Sequence, residues 1–521
     1  MAVTRVFDIL EHIKKNHLKD DFVCGKELVA ADKREKVWKK YSTTDFIDHA
    51  NWVSYGLRKT GIEPGDKVAI ISNNRPEWNF VDFGCQQVGA ITVPIFPTVS
   101  NHDLQFIIND AEVKAIFISS KEIYKKLVVI EKNIPTVKFV YSFDVVEGLN
   151  SFQSLVELGK ANECKEEIQK IKDAVKPEEL FTILYTSGTT GLPKGVMLSH
   201  NNLVSNILFS TKLAPFEKNW KALSFLPLNH VYERMVTSLY FYMGTSVYYA
   251  EGFETIGDNL KEVKPQIFVS VPRLIERVYE RLVSAGDKQK GLKKKIFFWA
   301  LDLSLRYELN GANGGWYELK RKIADKLIYS KWREALGGNM QFIASGGAAL
   351  QTRLARVFTC AKITILEAYG LTETSPAVSV NGYEHKDIRF GTVGTVLKNI
   401  EVKIAEDGEI LIKGPSVMMG YYKKPEETAE VLGSDGWFHT GDIGTFVEER
   451  FLKITDRKKE IFKTSAGKYI SPLMLENKLK ECRFVEQCMV IGEGEKFAST
   501  LIVVSTDYIK EWCKKNTVEF T

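Results

Sequence analysis

Apolar runs alternating with helix-period stretches fill the first third of the chain, and they restrict the fold more than any other feature. Lys67-Val-Ala-Ile-Ile-Ser72 reads as a buried strand. Residues 77–89 read as a helix with Trp78, Phe80, Val81 and Phe83 among its apolar positions, and Ala90-Ile-Thr-Val-Pro-Ile95 as a second strand. A helix over 102–111 and a strand Lys114-Ala-Ile-Phe-Ile-Ser119 follow. Strand–helix–strand repetition requires a parallel sheet with helices on its faces. Gln266-Ile-Phe-Val-Ser270 and Lys362-Ile-Thr-Ile-Leu366 carry the same pattern further on. The expected class is α/β, and 521 residues exceed one ordinary core, so two or more domains are expected.

The texture changes after about Phe390. Val402-Lys-Ile-Ala405, Gly408-Glu-Ile-Leu-Ile-Lys413 and residues 443–452 are short strands broken by Gly-containing turns, the pattern of a small β subdomain. Asp456-Arg457-Lys458-Lys459-Glu460 then marks an interdomain hinge, although solvated surface charge gives the same composition. The expected division is a large N-terminal domain of βα-layered sheets over 1–455, with the β subdomain at about 391–455, hinged to a small α+β domain over 456–521.

Tyr185-Thr186-Ser187-Gly188-Thr189-Thr190-Gly191-Leu192-Pro193-Lys194-Gly195 carries the strongest chemical signal. Glycines let backbone N–H groups turn inward around an anion. Ser187, Thr189 and Thr190 add hydroxyl donors, and Lys194 adds a fixed positive charge, so the stretch is built to hold a polyphosphate. It is not a Walker A loop, because Pro193 precedes Lys194 and Gly195 follows it. Phe181-Thr-Ile-Leu-Tyr185 and Gly195-Val-Met-Leu-Ser199 both read as short strands, so the loop joins two strands rather than opening a helix.

A net charge of +5 is small for this length and argues against a nucleic-acid binder. Seven scattered cysteines without a CxxC pair fit reduced thiols in the cytoplasm and no zinc site. The first residues hold no long apolar run, so any membrane contact is expected to be peripheral, on the inner face. One stretch invites such contact: Lys288-Gln-Lys-Gly-Leu-Lys-Lys-Lys295 precedes Ile296-Phe-Phe-Trp-Ala-Leu301, and basic residues beside aromatics rest on anionic membranes. An amphipathic helix packed on the core with a solvated basic face is the favoured reading of residues 288–301, since most such helices are simply amphipathic.

Further along, Glu367-Ala-Tyr369-Gly370-Leu371-Thr372-Glu373-Thr374 offers a flat ring for a base, a hydroxyl for a phosphate oxygen and a hard oxygen ligand for Mg²⁺. Alone, the octet is also what a plain turn shows. Gly436-Trp-Phe-His-Thr440-Gly441-Asp442 adds a carboxylate suited to two vicinal ribose hydroxyls, or a tight turn with a capping Asp.

In this combination and order, the motifs resemble the adenylate-forming superfamily, which includes acyl-CoA synthetases, luciferases and peptide-synthetase adenylation domains. The resemblance runs from about Tyr41 to the end of the chain. It implies that the loop from Thr186 to Lys194, with Ser187, Gly188, Thr189, Thr190 and Gly191, orders the β- and γ-phosphates of ATP. Gly346-Gly347-Ala348 would line the adenine and acyl pockets. Tyr369, followed by Gly370, would stack on adenine, Thr372 would touch the α-phosphate and Glu373 would hold Mg²⁺. Asp442 would bind the ribose, assisted by Arg457, and Asp456 would be the hinge. His230, in Leu226-Pro-Leu-Asn-His230-Val-Tyr-Glu-Arg234, matches a position beside the substrate carboxylate; a satisfied core histidine is the alternative. Gly467 and Lys468 resemble the lining of a pantetheine channel.

The implied chemistry joins a carboxylate to AMP with release of pyrophosphate, then passes the acyl group to the thiol of CoA. The Leu226–Arg234 block and Val271-Pro-Arg-Leu-Ile-Glu276 resemble long-chain fatty acyl-CoA synthetases most closely. A medium-chain or aryl carboxylate ligase, and a non-catalytic relative that binds adenylate or fatty acid, are the competing readings. Family members usually carry an adenylation lysine far down the C-terminal domain, and the segment that would bear it is not found before Thr521. The chain therefore reads as truncated, with adenylation expected to be impaired.

Overall fold

A computed structural model describes residues 2–29, 32–186, 191–465 and 467–520. Two large sheets organise them. The first has eight strands, with Lys67–Ile71 at its centre between Ile91–Pro94 and Val113–Ile118, all parallel. Helix Pro76–Gln87 makes the first crossover and starts on a proline, which has no N–H to leave unsatisfied there. The second crossover, Asn101–Asp110, is capped by the Ser100 hydroxyl, which accepts the N–H of Asp103.

Alternation of side chains decides the layering. Val68 and Ile70 enter one core with Trp78, Phe80 and Phe241, whereas Ala69 and Ile71 enter another with Leu104 and Leu127. In the second sheet Ile267 and Val269 join the first of these cores, and Phe268 joins a third with Ile275, Phe297 and Trp332. The two sheets thus share one central core, and further helices cover their outer faces. Each large apolar side chain withdrawn from water contributes about 1.5–3 kcal/mol before entropy is counted.

The second sheet has thirteen strands. Its parallel part includes Ile267–Ser270, Phe342–Ser345 and Thr364–Gly370. Antiparallel pairing begins at Ala377–Val380 and continues through Thr395–Val396, Phe451–Arg457, Phe438–Val447, Glu409–Lys413 and Glu401–Ile404. The short strands beyond Phe390 therefore extend the edge of a large sheet instead of forming a separate one. Asp456 is the penultimate residue of strand Phe451–Arg457 and is buried. After it come two small hairpins, Phe462–Lys463 with Tyr469–Ile470 and Val485–Ile491 with Ser499–Val504. Among the described residues, no helix is long and apolar enough to cross a membrane.

Candidate active site

Strands Leu180–Thr186 and Lys194–Ser199 form an antiparallel hairpin in which Thr186 pairs with Lys194. Thr186 and Lys194, the residues that bound the predicted loop, therefore stand side by side at the end of this hairpin. Ser187, Gly188, Thr189 and Thr190 lie outside the described residues. Gly191 is exposed with φ of +99°, a conformation that L side chains adopt poorly. The ammonium of Lys194 is paired with the carboxylate of Glu427 and lies 5.2 Å from the centroid of the Tyr421 ring.

Strand Thr364–Gly370 carries Tyr369 to the same place, and the 3₁₀ turn Thr372–Thr374 presents Glu373. Gly346 follows strand Phe342–Ser345; a Cβ there would lie 3.2 Å from the Tyr232 ring, so a glycine leaves that ring its space. Asp442 and Arg457 face each other in the register of their hairpin. The Tyr369 hydroxyl donates to Asp442 Oδ2 at 2.7 Å, and Arg457 Nε approaches Asp442 Oδ1 at 3.3 Å. His230 caps helix Val231–Met243, its Nδ1 accepting the N–H of Tyr232.

Thr186, Lys194, His230, Gly346, Gly347, Tyr369, Gly370, Thr372, Glu373, Asp442 and Arg457 all line one cavity of about 800 Å³. It opens where strands of both sheets end, the usual place for a ligand in an α/β fold. A second cavity of about 430 Å³ shares Thr186, His230 and Thr372 and adds Ile95, Phe96, Val99 and Ile107. Ala348 is exposed and does not line the main cavity; neither do Gly467, Lys468 or Asp456. Gly467 has φ of +81° in the turn joining two short strands, where its N–H donates to Thr464 O.

Several wall residues escaped the sequence analysis. Tyr421 donates its phenol proton to Glu373 Oε1 at 3.0 Å. Tyr232 and Glu409 also line the cavity, beside Lys458 of the charged run that the sequence had already singled out. Glu409 accepts the N–H of Gly441 at 2.9 Å and an N–H of Lys458 at 2.9 Å, bracing the turn before Asp442. No local pattern marks Tyr421 or Glu409, which reach the wall through sheet register, while Tyr232 reaches it from the first turn of helix Val231–Met243.

Burial sets the charge states. It pushes the Glu373 carboxyl up, against the Tyr421 hydrogen bond and Lys194, which favour the anion. Asp442 is likewise raised by burial, with Tyr369 and Arg457 opposing. Burial also raises Glu409, but Lys458, the Gly441 N–H and His439 outweigh it and leave that carboxyl below its usual range. His230 is open to the cavity, yet the protein packed around it lowers the imidazole pKa by desolvation, which favours the neutral ring near neutral pH.

Among the described residues, no group of three or more His, Cys, Asp or Glu could enclose a metal ion. Mg²⁺ does not need one, since it takes one or two carboxylates and completes its shell with waters and substrate phosphates. A desolvated Glu373 carboxylate, held through one oxygen by Tyr421 at a wall shared with Lys194, fits that mode of binding.

The family model of the AMP-binding enzymes matches residues 23–422. Long-chain-fatty-acid–CoA ligase FadD15 of Mycobacterium bovis is 33% identical over 502 residues, covering 95% of this chain and 82% of that protein. The peroxisomal long chain acyl-CoA synthetase 6 of Arabidopsis thaliana is 35% identical over 488 residues, covering 88% and 67%. In the solved structures, the anthranilate CoA ligase AuaEII in complex with anthranoyl-AMP superposes with a TM-score of 0.74 at 18% identity, covering 99% of this chain and 91% of that one. That likeness bears on the fold, which is the mixed α/β fold of the adenylate-forming superfamily. On the family match and the curated relatives together, the chain belongs to the AMP-binding enzyme family, among its long-chain-fatty-acid–CoA ligases.

Proposed function

We propose that this chain activates a long-chain fatty acid with ATP and transfers the acyl group to CoA. The observation that carries the reading is the convergence of Lys194, Glu373 and Asp442, from three distant stretches, on one cavity. The relatives' names supply the substrate class.

In the first half-reaction a carboxylate oxygen attacks the α-phosphorus, and the bond to pyrophosphate breaks. The attacking group is already ionised near neutral pH, so no general base is needed. What the protein contributes is positioning and charge neutralisation. Lys194 and Thr186, with the loop between them, would grip the β- and γ-phosphates once Lys194 leaves Glu427. Tyr369 would lie against adenine, Thr372 against the α-phosphate, and Asp442 with Arg457 against the ribose. His230, neutral and with Nδ1 accepting from Tyr232, would donate its Nε2–H to the fatty-acid carboxylate without adding charge. Glu373 would hold Mg²⁺ against the phosphates, and the chemistry gained there is neutralisation of their charge.

In the second half the CoA sulfur attacks the acyl carbonyl and AMP leaves. Residues 456–521 would form the smaller unit that turns about Asp456 between the halves, bringing Gly467 and Lys468 to the pantetheine arm. A peripheral membrane contact belongs to the same reading, because long-chain carboxylates reside in bilayers rather than free in water.

Incubation with Mg-ATP, CoA and a panel of acetate, octanoate, palmitate, oleate and coumarate, read by mass spectrometry, tests the proposal. AMP with palmitoyl- or oleoyl-CoA is expected. Octanoyl- or coumaroyl-CoA as the main product would move the substrate class. Absence of any acyl-CoA that palmitoyl-adenylate and CoA restore would place the defect in adenylation alone; absence that they do not restore, with Mg²⁺-dependent ATP binding retained, would replace the enzyme by a binding protein.

A further inference from the structure

Helix Gly315–Ala324 runs through a π turn, Asp325–Tyr329, into helix Ser330–Ala335. One side of this rod is anchored. Ala324, Tyr329 and Trp332 are buried, the Tyr329 hydroxyl donates to Ala300 O at 2.7 Å, and Trp332 packs 5.9 Å from the Phe297 ring. The other side is apolar and open: Trp316 is 70% exposed, Leu319 48%, Ile323 48% and Leu327 42%. Their spacing of three, four and four residues places them in one ridge along the helix. Isolated exposed apolar residues need no explanation, but an aligned ridge of four does.

Charge on this rod is predominantly basic, with Glu334 the one carboxylate of residues 315–335 that enters no ion pair among the described residues. Glu318 is occupied by Arg321, and Asp325 by Arg333 and Lys362. Lys322, Lys326 and Lys331, by contrast, enter no ion pair among the described residues, and Lys320 lies over the Trp316 ring at 5.4 Å. Apolar side chains that insert, flanked by lysines that remain at the surface, match a bilayer with anionic headgroups. A second copy would bring like-charged lysines together, which disfavours self-association through this face. The preceding helix, Gly291–Leu305, follows the basic run that drew attention in the sequence. It turns Phe297 inward and half-buries Phe298 and Trp299, leaving Leu292 as its exposed apolar residue.

We propose that the ridge Trp316–Leu319–Ile323–Leu327, with its flanking lysines, docks this protein onto an anionic lipid bilayer. The proposal deepens the membrane contact of the fatty-acid reading, and its test uses no substrate, so loss of docking and loss of ligase activity are separable. The full chain is sedimented with vesicles of phosphatidylcholine alone or mixed with phosphatidylglycerol. Binding to the mixed vesicles is expected, weakened by salt. Trp316→Ser with Leu319→Ser and Ile323→Ser should lower the partition coefficient about tenfold or more. Lys322→Glu with Lys326→Glu and Lys331→Glu should do the same on mixed vesicles only. Both sets are surface substitutions, and unchanged urea midpoints confirm intact folding. Equal binding by the apolar variant, or no binding of the unsubstituted chain to mixed vesicles, would overturn the proposal and leave the ridge to a protein partner.

Discussion

The phenol of Tyr421 donates to the Glu373 carboxylate across 3.0 Å, although 48 residues separate the two in the chain. Sheet pairing makes the contact: Tyr421 lies opposite Val196, two residues beyond Lys194, and the N–H of Met418 donates to Glu373 O. One short strand, Gly420–Tyr421, therefore ties the hairpin that carries Lys194 to the carboxylate proposed to hold Mg²⁺. Removing the phenol with Tyr421→Phe leaves burial less opposed, so the Glu373 pKa rises further. A hydrogen bond to a charged group contributes about 1.5–3 kcal/mol, so adenylate formation at neutral pH should fall about tenfold or more. Its acid limb should move to higher pH. An unmoved acid limb in the pH–rate profile would separate Tyr421 from the function of Glu373.

Glu427 holds the ammonium of Lys194, and Lys424 holds the same carboxylate from the preceding turn. The two lysines keep the Glu427 carboxyl below its usual range. On the proposal that Lys194 grips the phosphates of ATP, this pair competes with substrate. It is near the surface, where such pairs contribute about 0–1 kcal/mol. Glu427→Gln should therefore lower the KM for ATP by a factor of about 2–5, with kcat changed less. A raised KM would instead make Glu427 a support that aims Lys194.

How far the sequence foretold these contacts depends on their range. Runs such as Lys67–Ile71 and Ile91–Pro94 declare themselves because burial on both faces leaves a continuous apolar stretch, and the crossovers between them force parallel pairing. Glycine, hydroxyl and lysine crowded between Thr186 and Lys194 single out that segment in the sequence, and its two described ends, Thr186 and Lys194, line the cavity. Tyr421 and Glu427 were not legible, since nothing near them in the chain points to Glu373 or Lys194. The continuity of the second sheet was hidden for a similar reason: it depends on Ala377–Val380 bridging Thr364–Gly370 to Thr395–Val396. Ala348 was grouped with Gly346 and Gly347 by resemblance; the two glycines line the cavity and Ala348 does not.

Arg234, one turn after His230, is 3% exposed and pairs with Asp82, which is equally buried. It also donates to Thr182 Oγ1 at 2.7 Å and Thr92 Oγ1 at 2.8 Å. Thr182 belongs to the strand that ends at Thr186, so the pair fixes the His230 helix against the phosphate-loop hairpin. Breaking a buried pair strands the remaining charge and costs about 3–5 kcal/mol. Asp82→Ala should lower the urea midpoint accordingly, and Arg234→Lys should rescue little because a single ammonium cannot reproduce the fork. Wild-type midpoints in both variants would show that the network adds nothing to stability.

Glu233 sits in the first turn of the same helix at 1% exposure, with Oε2 lacking a hydrogen-bond partner. Burial drives its pKa from 4.5 to about 8, against a hydrogen bond with Ser224. Between those values the folded protein keeps a proton that the unfolded chain has lost, so unfolding releases one. Stability must then fall as pH rises through this window, with the full penalty present above about pH 8. Glu233→Gln keeps the shape and removes the ionisation. Compared by urea midpoint, the variant should gain little at about pH 5 and become the more stable protein at about pH 9, by a few kcal/mol at most. A gap that does not widen with pH would mean that Glu233 ionises in the folded protein at the same pH as in the unfolded chain.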